Sequence, residues 1–259
     1  MKLPIYQVDA FASKVFEGNP AAVCPLDEWI PDTNMQNIAM ENNLSETAFF
    51  VRQEDGYRLR WFTPTTEVDL CGHATLASAH VLFEHLGYDK QKIQFASNSG
   101  ELIVRQREGR LVMNFPTSDL NESKPPNFLE EAVGIPAQKL YRDTDYLYVV
   151  ESEEQVRNLE PDIRQLKQAN VRGIIVTAPG GEFDFVSRFF APAAGVDEDP
   201  VTGSTHTMLT PYWSKRLKKN ELVGRQVSQR GGTVYCIDLG DRVELEGTAI
   251  TFMQGEIEV

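Results

Sequence analysis

Apolar and polar residues alternate in short runs over much of the chain, the period-2 pattern of half-buried strands. The opening stretch Met1 to Ala12 reads this way. So do Gly100-Glu101-Leu102-Ile103-Val104 with Arg110-Leu111-Val112-Met113-Asn114-Phe115, and the later pair Thr233 to Asp238 with Arg242 to Leu245. One segment departs from it. From Ala74 to Leu86, the residues Leu76, Ala79, His80 and Phe83 recur at helical spacing in an Ala-rich stretch that Gly87 terminates. This helix is apolar nearly all round, which predicts burial inside a wrapping of strands.

The pattern also repeats. Arg60-Trp61-Phe62-Thr63-Pro64 matches Arg188-Phe189-Phe190-Ala191-Pro192 at a shift of 128 residues, and the same shift lays Val68-Asp69 on Val196-Asp197 and Cys71 on Asp199. Upstream, Ala48-Phe49-Phe50-Val51 answers Ile174-Ile175-Val176-Thr177 at a shift of 126. Downstream, Gly100 and Gly109-Arg110-Leu111-Val112 answer Gly232 and Asp241-Arg242-Val243-Glu244 at 132. Loop insertions leave drifts of that size. The chain therefore reads as a diverged internal duplication. Each half opens on strands, continues with a helix starting near Asp32 or Asp162, adds strands and a second helix, and closes on a hairpin. The polar stretch Asn121 to Asn127, with Pro125-Pro126, is the expected linker.

Composition narrows the function. A length of 259 residues allows one large domain or two ordinary ones. With 38 acidic against 25 basic side chains the net charge is −13, which argues against a nucleic-acid partner. A small anion can still be held by a local field. Cys24, Cys71 and Cys236 form no CxxC pair, and the four histidines show no zinc-ligand spacing. Asp9 interrupts any signal-like apolar run, and no stretch approaches the ~20 apolar residues of a membrane span. Nucleotide, phosphate-loop, metalloprotease and hydrolase motifs are all missing. The expectation is a cytoplasmic protein with reduced thiols, no metal, no organic cofactor and no membrane partner.

Two corresponding helix starts stand out, Cys71-Gly72-His73-Ala74-Thr75 and Asp199-Pro200-Val201-Thr202-Gly203-Ser204-Thr205. A helix N-terminus presents unpaired N–H groups and a positive dipole end, so two such ends facing each other would clamp a carboxylate. Gly72 and Gly203 would let a ligand approach the backbone. Each motif alone also fits an ordinary capped helix, with Asp199 and Thr202 as caps. His73 fits either a structural role or an acid/base. Glu46, just before an apolar strand, is either a solvated strand-end charge or a carboxylate among apolar walls, its pKa raised into the general-base range. Cys71 reads as a small buried residue rather than a nucleophile. His80, His85 and His206 are assigned to packing or surface.

Taken together, Phe16-Glu17-Gly18-Asn19-Pro20-Ala21-Ala22-Val23, Ser45-Glu46-Thr47-Ala48-Phe49, Arg60 to Pro64, Cys71 to Thr75 and Asp199 to Ser204 resemble the PhzF-like (phenazine biosynthesis F-type) isomerases from first strand to last. The resemblance implies an α+β fold shared with diaminopimelate epimerase. That fold has two pseudo-symmetric domains, each a mostly antiparallel β-roll or barrel around a central helix, with the site between them. The halves would be 1–116 and 117–249, the last strand, 250–259, returning to the first.

By the same resemblance Glu46 takes and returns the substrate proton. His73 and Asp199 orient the ligand, and Gly72, Gly203 and Ser204 bind its carboxylate. The partner is a small carboxylate, the assembly a homodimer, and no cofactor is needed. Related racemases use two facing cysteines. Here the counterpart of Cys71 is Asp199, which favours isomerisation over inversion. The alternatives are a racemase or epimerase in which Cys71 works with Asp199 or His73, and a ligand-binding protein without turnover.

Overall fold

Leu3 and Ile5 of the first strand, β1 (Lys2–Ala10), share one core cluster with Met35 and Ile38, while Tyr6, Val8 and Ala10 are buried on the opposite face. The computed structural model describes residues 1–259. Two compact units divide them, Met1–Asn114 with Glu246–Val259, and Phe115–Leu245.

In the first unit β1 is followed by β2 (Asn19–Leu26), α1 (Asp32–Asn42), β3 (Glu46–Gln53), β4 (Gly56–Phe62) and β5 (Glu67–Val68). Then come α2 (Gly72–Glu84), β6 (Lys92–Ser97), β7 (Gly100–Arg107) and β8 (Arg110–Pro116). From β2 the sheet runs parallel to β3, antiparallel to β4, parallel to β6 and antiparallel to β7. On its other side β2 pairs antiparallel with β1. Helix α2 packs against β1, β2 and β3, with every residue from His73 to Ala79 buried. Burying Leu76, Val81 and Leu82 contributes about 1.5–3 kcal/mol each. Its two hydroxyls need partners in that setting. Thr75 Oγ1 donates to Cys71 O at 2.6 Å and Ser78 Oγ to Ala74 O at 2.8 Å.

The second unit runs β9 (Asn121–Glu122), α3 (Leu129–Val133), β10 (Lys139–Arg142), β11 (Tyr146–Val149), α4 (Glu153–Arg157), α5 (Ile163–Leu166), β12 (Ile174–Pro179) and β13 (Phe185–Ala191). It continues with β14 (Val196–Asp199), α6 (His206–Leu217), β15 (Glu221–Gln226), β16 (Gly232–Asp238) and β17 (Arg242–Gly247). The final strand, β18 (Ala249–Glu258), belongs to the first unit and pairs antiparallel with β1. From β11 the sheet runs parallel to β12, antiparallel to β13, parallel to β15 and antiparallel to β16, the same order of pairings as from β2. Helix α6 packs on β15 and β16. Its Trp213 stacks on Phe185 at 5.9 Å, and the indole N–H donates to Thr177 Oγ1 at 3.0 Å. No helix is long and apolar enough to cross a membrane.

The match reaches single side chains. Arg60 grips Glu67 through Nε and Nη2 at 2.7 and 2.8 Å, its guanidinium 5.1 Å from the Phe62 ring. Arg188 grips Glu198 at 2.7 and 2.9 Å, 4.9 Å from Phe190. Such forks are the strong form of ion pair.

Three expectations are corrected. Asn121 to Asn127 is not a linker: Asn121 and Glu122 form β9 against Tyr141 and Arg142, within the second unit. Asp162 does cap a helix, accepting from the N–H groups of Arg164 and Gln165, but α5 is one turn long, its end tightening into bonds from Gln168 N to Gln165 O and from Ala169 N to Leu166 O. Asp199 and Thr202 do not cap α6 either. Residues 202–205 form a tight turn bonded from His206 N to Gly203 O and from Thr207 N to Ser204 O, so the helix starts only at His206.

Candidate active site

Glu46 is the first residue of β3, where it pairs with Ala21 of β2. Cys71 caps α2 and His73 lies in its first turn, buried beneath β2. Strand start and helix start thus bring Glu46 and His73 together, with His73 Nε2 3.1 Å from Glu46 Oε2. The ring N–H does not lie along that line, so Oε2 is buried without a hydrogen-bond partner. Around the same ring, Cys71 Sγ lies 3.5 Å from Nδ1 and 4.0 Å from Nε2. Asn19, fully buried at the start of β2, places its side-chain amide nitrogen 3.3 Å from Nδ1. Gly72, the first residue of α2, sits between Cys71 and His73.

Charge follows from this packing. Burial pushes the Glu46 carboxyl up. The facing charge of His73, with a contribution from Cys71, outweighs it and holds the group below its usual range. The raised value expected from apolar walls is therefore wrong, because the wall facing Glu46 carries a cation. Burial also opposes the His73 imidazolium, yet its contacts with Cys71 and with the Glu46 carboxylate lift it well above the ordinary histidine value. Burial, helped by the Glu46 charge, pushes the Cys71 thiol up to about 11. At neutral pH the sulfur is a thiol, so the pair that counts is a carboxylate facing an imidazolium. The donor atoms of Glu46, Cys71 and His73 lie within 4.8 Å of one another, close enough to share a metal ion.

In the second unit Asp199 ends β14. Thr202 Oγ1 donates to its carboxylate, and the buried Gln226 ties the loop from below. Gln226 Nε2 donates to Asp199 O at 2.7 Å, and its Oε1 accepts from Thr202 N at 2.9 Å. Gly203 and Ser204 occupy the turn before α6. Ser204 Oγ accepts from Arg172 Nη1 at 2.9 Å, while Arg172 Nε and Nη2 grip the buried Asp145. His206 is buried, its Nδ1 on Thr202 O at 2.8 Å, and burial lowers its pKa to about 4. His80 and His85 both contact the Thr251 hydroxyl, at 2.9 and 2.7 Å, away from Glu46.

Asn19, Gln226, Arg172 and Asp145 have no role that the sequence alone assigns. Asn19 lies inside the Gly18-Asn19-Pro20 motif, a signal that could have been used. The other three meet their loops only through tertiary contacts. Removing Arg172 would strand the Asp145 carboxylate, which burial already pushes up. Arg172→Ala should cost about 2 kcal/mol in urea unfolding, less than for an enclosed pair because the arginine side chain is 37% exposed. An unchanged midpoint would show that water replaces the guanidinium.

The sequence profile of the family described as "Phenazine biosynthesis-like protein" matches residues 8–255. The chain belongs to that family. A Pseudomonas aeruginosa relative named "Uncharacterized isomerase PA2770" is 50% identical over 259 residues, covering 100% of both chains. Among solved structures, a PhzF family protein of Enterococcus faecalis superposes with a TM-score of 0.98 at 46% identity, again over 100% of both chains. The member described here is an isomerase by this kinship. Its α+β, diaminopimelate epimerase-like fold extends to a Pseudomonas aeruginosa protein titled a predicted epimerase, PA4716. That structure has a TM-score of 0.80 at 18% identity, covering 99% of both chains, a likeness of fold alone.

Proposed function

We propose that this family member moves a proton within a small unsaturated or amino carboxylic acid, with Glu46 as the general acid/base and no cofactor in the reaction. One observation carries the reading. Glu46 Oε2 is buried, lacks a hydrogen-bond partner and sits 3.1 Å from a histidine that favours its ionised form. A carboxylate so placed has a lone pair available for a carbon-bound proton, and proton transfer by a positioned group supplies roughly 10²–10⁴-fold.

In the reaction, Glu46 Oε2 takes the proton from carbon. The electron pair left behind spreads through the adjacent double bond, and the same oxygen returns the proton at the far end of the conjugated system. The imidazolium of His73 offsets the charge that develops on the substrate. Gly72, Gly203 and Ser204 hold the substrate carboxylate through N–H groups and a hydroxyl, and Asp199 orients its polar substituent. We also read the recurring strand pairings and the paired Arg–Glu forks as the residue of an internal duplication, with halves 1–116 and 117–249. A cytoplasmic homodimer is the setting that the family resemblance implies.

The test is a panel of conjugated cyclic amino acids and related unsaturated acids in heavy water, followed by NMR. Isomerisation with deuterium uptake at the receiving carbon supports the reading, and turnover that depends on an added cofactor removes it. A racemase built on Cys71 would need a thiolate, which a thiol pushed up to about 11 does not provide at neutral pH. Cys71→Ala should therefore keep most of the rate. Complete loss of turnover in folded Cys71→Ala would shift the assignment to the racemase.

A further inference from the structure

Cys71, His73 and Glu46 bring a thiol sulfur, an imidazole nitrogen and a carboxylate oxygen within 4.8 Å of one another. Zinc favours these three donor types, commonly as three protein ligands with a fourth position left open. A tetrahedral ion with Zn–S near 2.3 Å and Zn–N or Zn–O near 2.0–2.2 Å sets its donors about 3.3–3.6 Å apart. Here Nε2 and Oε2 are 3.1 Å apart, whereas Sγ lies 4.0 Å from Nε2 and 3.5 Å from Nδ1, so the Cys71 side chain must rotate to bring its sulfur in front of Nε2 and close the set. Glu46 Oε2 makes no hydrogen bond, and the bound ion would take the place of the charge that His73 now presents to it. On the far side of the ring, Nδ1 meets the Asn19 side chain at 3.3 Å, the kind of outer contact that fixes a metal-bound imidazole. With Nε2 on a metal, Nδ1 would carry the proton, and Asn19 would present its carbonyl oxygen by turning over the amide.

We propose that Glu46, Cys71 and His73 form a binding site for a thiophilic divalent cation, Zn²⁺ foremost, and that the ion shuts the isomerase by occupying its acid/base. Binding does not depend on the function assigned to Glu46; the inhibition does. The ion acts as an inhibitor and takes no part in turnover. It receives a thiolate from Cys71, a lone pair from His73 Nε2 and one oxygen of Glu46, and the displaced protons leave to solvent. Mg²⁺ and Ca²⁺, which prefer all-oxygen shells, have no comparable claim on a sulfur and nitrogen pair.

The full-length protein, stripped with a chelator, would be titrated with Co²⁺ and then Zn²⁺. One equivalent of Co²⁺ should raise a thiolate-to-cobalt charge-transfer band in the near ultraviolet, and one equivalent of Zn²⁺ should abolish it. Cys71→Ser should lose the band, whereas Cys236→Ser should keep it. Glu46→Gln should keep it but weaken Zn²⁺ binding by at least roughly tenfold. X-ray absorption at the zinc edge of the wild-type protein, which needs no variant, should show one sulfur with nitrogen and oxygen neighbours. A wild-type protein without the band, a folded Cys71→Ser that retains it, or an all-oxygen shell would overturn the site. One bound equivalent with undiminished turnover would overturn the inhibition alone. Neither spectrum requires substrate, so the failure of Glu46 as the base would leave both readouts unchanged.

Discussion

Glu46→Gln is expected to lower turnover by at least about 10²-fold while leaving the fold intact. Glutamine keeps the shape of the side chain at the head of β3 but offers no oxygen able to hold a substrate proton. It also takes away the negative charge facing His73, which lifts the imidazole above its ordinary value. The variant therefore loses the base and weakens the cation in one change. Folding should suffer little, since the carboxylate is already partly desolvated and its Oε2 makes no hydrogen bond that the amide would lose. The measurement is the initial rate on whichever acid the heavy-water panel identifies, beside the thermal midpoint of both proteins. A folded Glu46→Gln that works within tenfold of wild type would move the base to another residue.

The largest effect on stability is expected from Gly18→Ala. Gly18 has φ +71, and a Cβ there would lie 2.2 Å from Ala10 O and 2.9 Å from Ala12 Cβ. The left-handed conformation alone costs about 1–2 kcal/mol for an L residue. The collision adds to it, because the obstructing oxygen belongs to the backbone of β1 and has no rotamer to yield. A total of roughly 3–5 kcal/mol follows. Gly87 provides the control. Its φ is +65, and an added methyl would meet nothing within 4 Å, so Gly87→Ala should show only the conformational cost. Urea midpoints of the two variants separate the contributions. If Gly18→Ala proved no worse than Gly87→Ala, the contact with Ala10 would be one the chain can relax. Asn19, next in sequence and in contact with His73, should shift with Gly18, so His73 ring resonances would report the same displacement.

Local pattern made some of this legible and left the rest hidden. Helix α2 was readable because its residues are apolar on every face, a property of thirteen consecutive positions. The strand runs around Val104 and Leu111 were readable from their period-2 and β-branched character. The start of α6 was not. Asp199 and Thr202 have the chemistry of caps, but each satisfies the other within a turn held by Gln226, a residue 24 positions after Thr202. The second-half helix at Asp162 shrank to one turn although its cap is genuine, because a cap fixes where a helix begins and not how far it runs. Glu46 shows the limit most clearly. Its apolar flanks were visible in the sequence, but the imidazolium that reverses its pKa shift comes from the beginning of another element. Arg172 and Asp145 lie 27 positions apart and become a pair only when β11 and β12 align.

The return of β18 to β1 has a consequence for the order of synthesis. A ribosome releases Lys2 to Ala10 before Ala249 to Glu258, yet these strands pair along their whole length, from Lys2 with Glu258 to Ala10 with Ala249. The unit that begins to emerge first is therefore the one that finishes last. Phe115–Leu245 is contiguous and can complete its core during translation, while the N-terminal sheet waits with β1 open along one side. A chain that stopped just after Leu245 would damage the older unit of the protein and spare the younger.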